Sequence, residues 1–95
     1  MDKIILNGAN MTTREDAHAE IQREMGFPDY YGANLDALWD MISATDADVE
    51  LHNPVPMLNA LGKYGCKLLE TFFDAVEENE GFHFRLESEF DLELF

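Results

Sequence analysis

One short segment of this chain, YYGANLDALWD at residues 30–40, concentrates side chains that commonly bind other proteins. Tyrosine and tryptophan offer large contact areas at low entropic cost, and carboxylates pair with arginine and lysine. On a helix that begins after Asn34, Asp36 and Asp40 lie one turn apart, where like charges repel by about 0.2–0.5 kcal/mol. A cationic ligand would turn this repulsion into attraction, so the segment predicts a surface for a basic partner. That surface would comprise Tyr30, Tyr31, Asn34, Asp36, Trp39 and Asp40.

An alternative interpretation gives the same residues purely structural roles. Tyr31 and Trp39 would then fill the core of the protein. Asp36 would be stabilised by the positive N-terminal end of the helix dipole, and Asp40 would be an ordinary solvent-exposed carboxylate. The residue types and their spacing leave both interpretations open.

Catalytic and metal chemistry find little support in the sequence. Paired carboxylates act as acid and base only in a cleft that raises one pKa, and no feature of the sequence requires such a cleft. His18, His52 and His83 lie too far apart for metal-ligand spacing, and each is expected to be a surface residue or a hydrogen-bonded core residue. Cys66 is expected in the core. We therefore expect no catalytic residue, no metal and no cofactor.

The charge of the chain limits its partners. Its 95 residues include 20 acidic and 6 basic side chains, giving a net charge of −14 at pH 7. This charge repels nucleic acids and anionic membranes and favours a basic protein, although solubility alone also selects acidic surfaces. The N-terminus MDKIILNGANM lacks the regions of a signal peptide, and no window approaches the ~20 apolar residues of a membrane span. We expect a cytoplasmic protein with one domain, residues 1–95.

The residues up to the aromatic segment predict a strand and two helices. KIIL, residues 3–6, is a short apolar run that indicates a strand buried on both faces. A helix follows, with Thr12 or Thr13 as its N-cap, and ends near Gly26. A second helix begins after Asn34, a favourable N-cap, and turns its leucines inward.

The second half of the chain continues the alternation of strands and helices. DVELHN, residues 48–53, predicts a strand, and the prolines that follow start a third helix. An amphipathic helix runs from Lys63 to Glu80 and is expected to end at Gly81 in the left-handed conformation. FHFRLE alternates as a third strand. We predict an α/β fold with a three-stranded parallel sheet and about four helices, while the acidic residues 88–95 form a tail or extend the last strand.

These segments resemble the barstar family of intracellular ribonuclease inhibitors. YYGANLDALWD carries the most specific likeness, and KIILNGANM and EDAHAEIQREMGFPDYYG resemble the family's first strand, first helix and inhibitory loop. The likeness is strong over residues 1–42 and beyond them lies chiefly in pattern. The resemblance implies a plug for a nuclease active site, with Asp40 in place of a substrate phosphate. The implied partner-binding residues are Tyr30, Tyr31, Gly32, Asn34, Asp36, Ala37, Trp39 and Asp40.

The chain departs from the family after the second helix. Where the family has a second tryptophan and a glutamate, residues 43–48 read SATDAD, and Asp46 or Asp48 would replace the acid. The family's acid on the long helix has Asp74 and Glu80 as its nearest equivalents. These changes favour a partner other than barnase.

The sequence therefore predicts a non-enzymatic inhibitor or immunity protein. Its partner would be a basic nuclease toxin, barnase-like or another ribonuclease, whose active site it plugs. The alternative is an acidic interaction module that binds another basic protein surface without inhibiting a nuclease.

Overall fold

The computed structural model describes residues 3–87, which form three β-strands and four α-helices. The strands are β1 (Lys3–Asn7), β2 (Ala47–His52) and β3 (Phe82–Glu87). The helices are α1 (Arg14–Met25), α2 (Leu35–Ile42), α3 (Pro54–Leu61) and α4 (Lys63–Glu78), and a short 3-10 helix spans Gly8–Asn10. The predicted α/β fold is confirmed. The prediction for residues 88–95, a tail or a strand extension, lies outside the described residues.

The strands form one parallel sheet in the order β1-β2-β3, with β2 in the centre. Their register places Ile4, Val49 and Phe84 side by side on the apolar face. Phe72 of α4 stacks on Phe84 with 4.5 Å between the ring centroids. Helical side chains therefore cover this face of the sheet and complete the core. Buried core residues include Leu6, Ile21, Leu38, Ile42, Val49, Leu51, Leu68, Phe72 and Phe82.

The first strand corrects one prediction. KIIL predicted a strand buried on both faces, but β1 lies at the edge of the sheet and Ile5 keeps 39% of its surface exposed. Ile5 pairs with Glu50 on the polar face, whereas Leu6 is fully buried on the apolar face. An apolar run therefore does not require burial on both sides of the sheet.

The polar face of the sheet centres on Glu50, which is only 5% exposed. Lys3 Nζ lies 2.8 Å from one oxygen of this carboxylate, and His52 Nε2 lies 2.9 Å from the other. Arg85 also pairs with Glu50. These partners, with Lys3 and His52 foremost, lower the pKa of Glu50 from its ordinary value of 4.5 to about 2. The charge is thus compensated at a position shielded from water.

Local capping sets the starts of α1 and α2. Thr13 Oγ1 accepts a hydrogen bond from Asp16 N–H at 3.0 Å, which selects Thr13 over Thr12 as the cap. Gly26 ends α1 with φ at 70°, a conformation that glycine adopts readily. Asn34 Oδ1 accepts from the third residue of α2 at 2.7 Å. These predicted helix boundaries are confirmed.

The end of α4 differs from the prediction. The helix ends at Glu78, and Gly81 does not have a positive φ. Instead, Asn79 Nδ2 donates to the carbonyls of Ile42 at 3.4 Å and Thr45 at 3.0 Å. Asn79 Oδ1 accepts from Gly81 N–H at 3.0 Å. The Asn79 side chain therefore ties the turn after α2 to the start of β3.

Cys66 also departs from the prediction, because it is exposed on α4 and does not fill the core. The buried residues of this helix are Gly65, Leu68, Phe72 and Ala75. Cys66 follows the first of them by one position, which rotates it by about 100° around the helix axis. It therefore lies outside the buried stripe.

Candidate partner-binding surface

The loop between α1 and α2, residues 27–34, is held against α1. Phe27 is buried at its start, and its N–H donates to Gln22 O at 3.0 Å. Gln22 Nε2 donates to Pro28 O at 2.9 Å, and Tyr31 N–H donates to the same oxygen at 3.0 Å. The loop thus turns sharply at Pro28 and is fixed there by a side chain of α1.

A second tight turn leads into α2. Asn34 Nδ2 donates to Gly32 O at 3.3 Å, while the other atom of the same amide caps the helix. Ala33 has φ at 54°, which is uncommon for a residue with a Cβ. A Cβ on Gly32 would lie 3.2 Å from Ala37 Cβ, so a larger residue would push the loop away from the helix. Gly32, Asn34 and Ala37 therefore determine how closely the loop packs on α2.

The second helix separates its apolar and acidic residues. Leu38 and Ile42 are fully buried. Asp36 and Asp40 are exposed, and Trp39 is partly buried against the core. The predicted separation of faces is confirmed, and Trp39 takes part in both the core and the surface.

The two adjacent tyrosines differ sharply in exposure. Tyr30 is 84% exposed, whereas Tyr31 is only 8% exposed. The ring of Tyr31 packs against Phe27 with 5.1 Å between the centroids. Tyr31 is therefore not an exposed side chain, because its ring fills the space beneath the loop, and its partner-binding role stays a prediction. The interpretation of Tyr31 as a core residue agrees with the structure.

Tyr31 contacts a buried histidine that the sequence pattern did not single out for this surface. His18 of α1 is 1% exposed, with Nδ1 2.6 Å from Tyr31 Oη and Nε2 2.7 Å from Tyr64 Oη. Burial lowers the pKa of His18 and raises the pKa of both tyrosine hydroxyls. We call His18, Tyr31 and Tyr64 the His18 hub. Its only sequence signal is that His18 shares the buried side of α1 with Ala17 and Ile21, where a polar ring requires partners.

A depression of about 210 Å³ lies between the loop and α2. It brings together five of the predicted surface residues and one that was not predicted. The lining residues are Tyr30, Tyr31, Gly32, Ala37, Asp40 and Met41. The exposed Asp40 and Tyr30 thus border one concave site, and the buried Tyr31 contributes to its wall.

A wider groove of about 640 Å³ runs between α1 and the start of α2. Asn34 and Asp36 border it from the side of α2, and Glu15 borders it from α1. Tyr64 of α4 also borders it, and the guanidinium carbon of Arg14 lies 4.3 Å from the Tyr64 ring centroid. Asp36 and Asp40 therefore border different concavities, although they lie one turn apart.

Within residues 3–87, no group of three or more His, Cys, Asp or Glu side chains is arranged to hold a metal ion. None of the helices in this part of the chain has the length and apolar character to cross a membrane.

Comparison with known proteins identifies the family of this chain. Residues 1–89 match the family described as Barstar (barnase inhibitor). The chain belongs to the barstar family. It is also 37% identical over 84 residues to a protein of Bacillus subtilis (strain 168) named "Putative ribonuclease inhibitor YrdF". That alignment covers 82% of this chain and 89% of the Bacillus protein.

This barstar-family chain carries further predicted partner-binding acids outside the two concavities. Asp46, Asp74 and Glu80 are exposed, and none of them lines the depression or the groove. Asp46 lies in the turn after α2 and contacts Gly81, so it is close to Glu80. Asp48, the other candidate in SATDAD, belongs to β2 and pairs in register with residues of the polar face. Of these two aspartates, Asp46 is therefore the one nearer to α2.

Proposed function

We propose that this barstar-family protein inhibits a ribonuclease by inserting the surface of the loop and α2 into its basic active site. The observation that carries the proposal is the depression that places Asp40 beside Tyr30. An active site that holds phosphate with arginine and lysine can also bind a carboxylate through charge-assisted hydrogen bonds. Asp40 would therefore take the position of a substrate phosphate, and the inhibitor would have no catalytic role of its own.

Aromatic contacts would supply much of the affinity. Tyr30 is 84% exposed at the rim of the depression, and Trp39 is held against the core beside Asp40. Such residues lose little conformational entropy on binding, and large aromatic side chains are enriched among dominant interface residues. Tyr30 and Trp39 would exclude water from the ion pairs formed by Asp40, which strengthens those pairs.

The charge of the protein would accelerate capture of a basic nuclease. A net charge of −14 creates a negative field around a chain of 95 residues. Complementary charge raises association rates, and the effect weakens as salt is added. Rapid capture would suit an immunity protein that protects the cytoplasm of the cell that makes a nuclease toxin.

A partner that extends beyond its own active site would meet three exposed acids outside the two concavities, Asp46, Asp74 and Glu80. Asp46 and Glu80 lie near each other at the turn after α2, and Asp74 is exposed on α4. A partner with basic residues facing this edge would gain additional ion pairs, each worth about 0.2–1 kcal/mol because the acids are exposed. The altered residues of the SATDAD segment would thus favour a ribonuclease other than barnase itself. The family description and the name of the Bacillus relative support inhibition of a ribonuclease.

The proposal is tested by an inhibition assay with barnase and a panel of other basic ribonucleases. Hydrolysis of a fluorogenic RNA is measured with and without the purified protein. We expect at least one ribonuclease to be inhibited with one-to-one stoichiometry, and a mononucleotide bound in its active site to compete with the protein. Binding without inhibition would instead support the acidic interaction module.

A matched pair of variants separates an active-site plug from diffuse acidity. Asp40→Ala should weaken binding by more than about 30-fold, as expected for a dominant interface residue. Glu78→Ala removes an equal charge from an exposed position on α4 and should have little effect. Equal losses from both variants would contradict the plug and favour general charge attraction.

A further inference from the structure

The His18 hub joins three separate elements of the fold. His18 lies on α1, Tyr31 in the loop and Tyr64 in the first turn of α4. Both ring nitrogens of His18 are within 2.7 Å of a tyrosine hydroxyl oxygen. A neutral imidazole donates through one nitrogen and accepts through the other, so one tyrosine accepts and the other donates. The orientation of the ring is therefore fixed from both sides.

Tyr31 connects the His18 hub to the depression. Its hydroxyl group bonds His18, while the same residue lines the depression with Tyr30 and Asp40. Because Tyr30 and Gly32 are its neighbours in the chain, the position of Tyr31 sets the positions of both. A displacement of Tyr31 would change the wall of the depression beside Asp40.

The other attachments of the loop hold its two ends, so the His18 hub is what fixes its middle. Gln22 holds Pro28 at the start of the loop, and Asn34 caps α2 at its end. Between these two points, Asn34 Nδ2 bonds Gly32 O within the loop itself, whereas the Tyr31 hydroxyl bond to His18 joins the loop to α1. Phe27 contributes a ring contact, which limits the direction of the Tyr31 ring less strictly than a hydrogen bond does.

We propose that His18 is a positioning residue for the nuclease-binding surface, because it holds Tyr31 and thereby preorganises the loop beside Asp40. This inference rests on the proposed function and extends it to a residue that has almost no exposed surface and does not touch the partner. Preorganisation increases affinity because fewer states are lost on binding. The His18 hub would therefore act on binding through the order of the loop.

Amide hydrogen exchange in the free protein tests the first half of the proposal. The Tyr31 N–H, which donates to Pro28 O, reports on the loop, and the Leu51 N–H in β2 reports on the whole fold. His18→Gln should accelerate exchange at Tyr31 about tenfold more than exchange at Leu51, because the loop loses roughly one buried hydrogen bond in addition to any loss of global stability. An unchanged Tyr31 rate, or equal acceleration at both positions, would overturn the proposal.

Two other variants keep this test decisive if His18→Gln folds poorly. Tyr64→Phe removes only the hydroxyl group on α4 and should accelerate Tyr31 exchange in the same local way. His83→Gln makes the matching change at an exposed histidine on β3 and should alter neither rate. A Tyr64→Phe protein with the wild-type exchange rate at Tyr31 would contradict the hub.

Binding measurements test the second half of the proposal, that the ordered loop increases affinity. They use a ribonuclease that the wild-type protein inhibits in the panel described above. His18→Gln should bind it about tenfold more weakly, and His83→Gln should bind like wild type. Faster Tyr31 exchange with unchanged affinity would overturn the inference and leave the proposed function intact. If the wild-type protein inhibits no ribonuclease, the proposed function fails, whereas Tyr31 exchange still decides whether the His18 hub orders the loop.

Discussion

Gly81 and Asp46 are in direct contact across the turn after α2. A Cβ on residue 81 would lie 2.0 Å from Asp46 Oδ1 and 2.3 Å from Asp46 Cγ. Gly81 does not have a positive φ, so this close approach, and not an unusual backbone conformation, requires the absence of a side chain. The glycine therefore determines where the carboxylate of Asp46 can lie.

Gly81→Ala should move Asp46 without unfolding the protein. The exposed Asp46 side chain can rotate away, so we expect the free energy of unfolding to change by less than about 1 kcal/mol. Ribonuclease binding should weaken about as much as in Asp46→Ala. Urea unfolding and titration calorimetry measure the two effects. If Gly81→Ala weakens binding equally in wild-type and Asp46→Ala backgrounds, the glycine does not act through Asp46.

Asn79→Ala should destabilise the fold by about 1–3 kcal/mol, because it leaves partly buried backbone groups without their partner. The amide of Asn79 bonds Ile42 O, Thr45 O and Gly81 N–H. Urea unfolding measures the loss. Asn59→Ala, at an exposed position on α3, should cost less than about 0.5 kcal/mol. Similar costs for the two variants would show that the Asn79 tie contributes little.

Glu50 should make stability depend on pH in the acidic range. Its folded-state pKa of about 2 lies below its ordinary value of 4.5, so the folded protein prefers the ionised form. The resulting stabilisation is complete above pH 4.5 and is lost as pH falls towards 2. The difference in free energy of unfolding between wild type and Glu50→Gln should therefore shrink across this window. Glu70→Gln removes a carboxylate at an exposed position and serves as the control for the loss of one negative charge. A constant difference for Glu50→Gln would contradict the role of its ion pairs.

His18 should have its effect nearer to neutral pH. Burial lowers its folded-state pKa below 6.5, so the unfolded chain takes up a proton at a pH where the folded protein does not. Its contribution to stability is therefore complete above pH 6.5 and falls as pH decreases below it. The stability difference between wild type and His18→Gln should shrink below that pH in urea unfolding. Arg14, Glu15 and Asp36 are the charged residues that border the same groove as His18. A difference independent of pH would mean that folding does not lower the pKa of His18.

The sequence predicted features that depend on neighbours along the chain. Thr13 and Asn34 cap their helices through bonds to residues three positions away, and such signals are visible in a linear sequence. The alternation of strands and helices likewise predicted the parallel sheet. The faces of α2 followed from helical spacing, which separated Leu38 from Asp40.

Features that depend on distant contacts were predicted incorrectly or were missed. Gly81 was interpreted as a helix cap. In the structure, the position requires glycine because Asp46 approaches so closely that no Cβ fits. Ile5 is half exposed because β1 lies at the edge of the sheet, and strand order cannot be read from an apolar run. His18 gained its importance only when the fold placed Tyr31 and Tyr64 on either side of it. The partner-binding role of the surface residues stays a prediction.

The contrast between Tyr30 and Tyr31 has a consequence for engineering the specificity of this protein. Tyr30, like Asp36 and Asp40, is exposed. A library can therefore vary these three positions independently, because the fold tolerates a substitution at one without a compensating change at another. Tyr31 is bonded to His18, which is bonded to Tyr64, so a polar substitution at one of the three leaves a hydroxyl or ring nitrogen without its partner. Libraries aimed at new nucleases should therefore randomise position 30 freely and change positions 18, 31 and 64 only as a set.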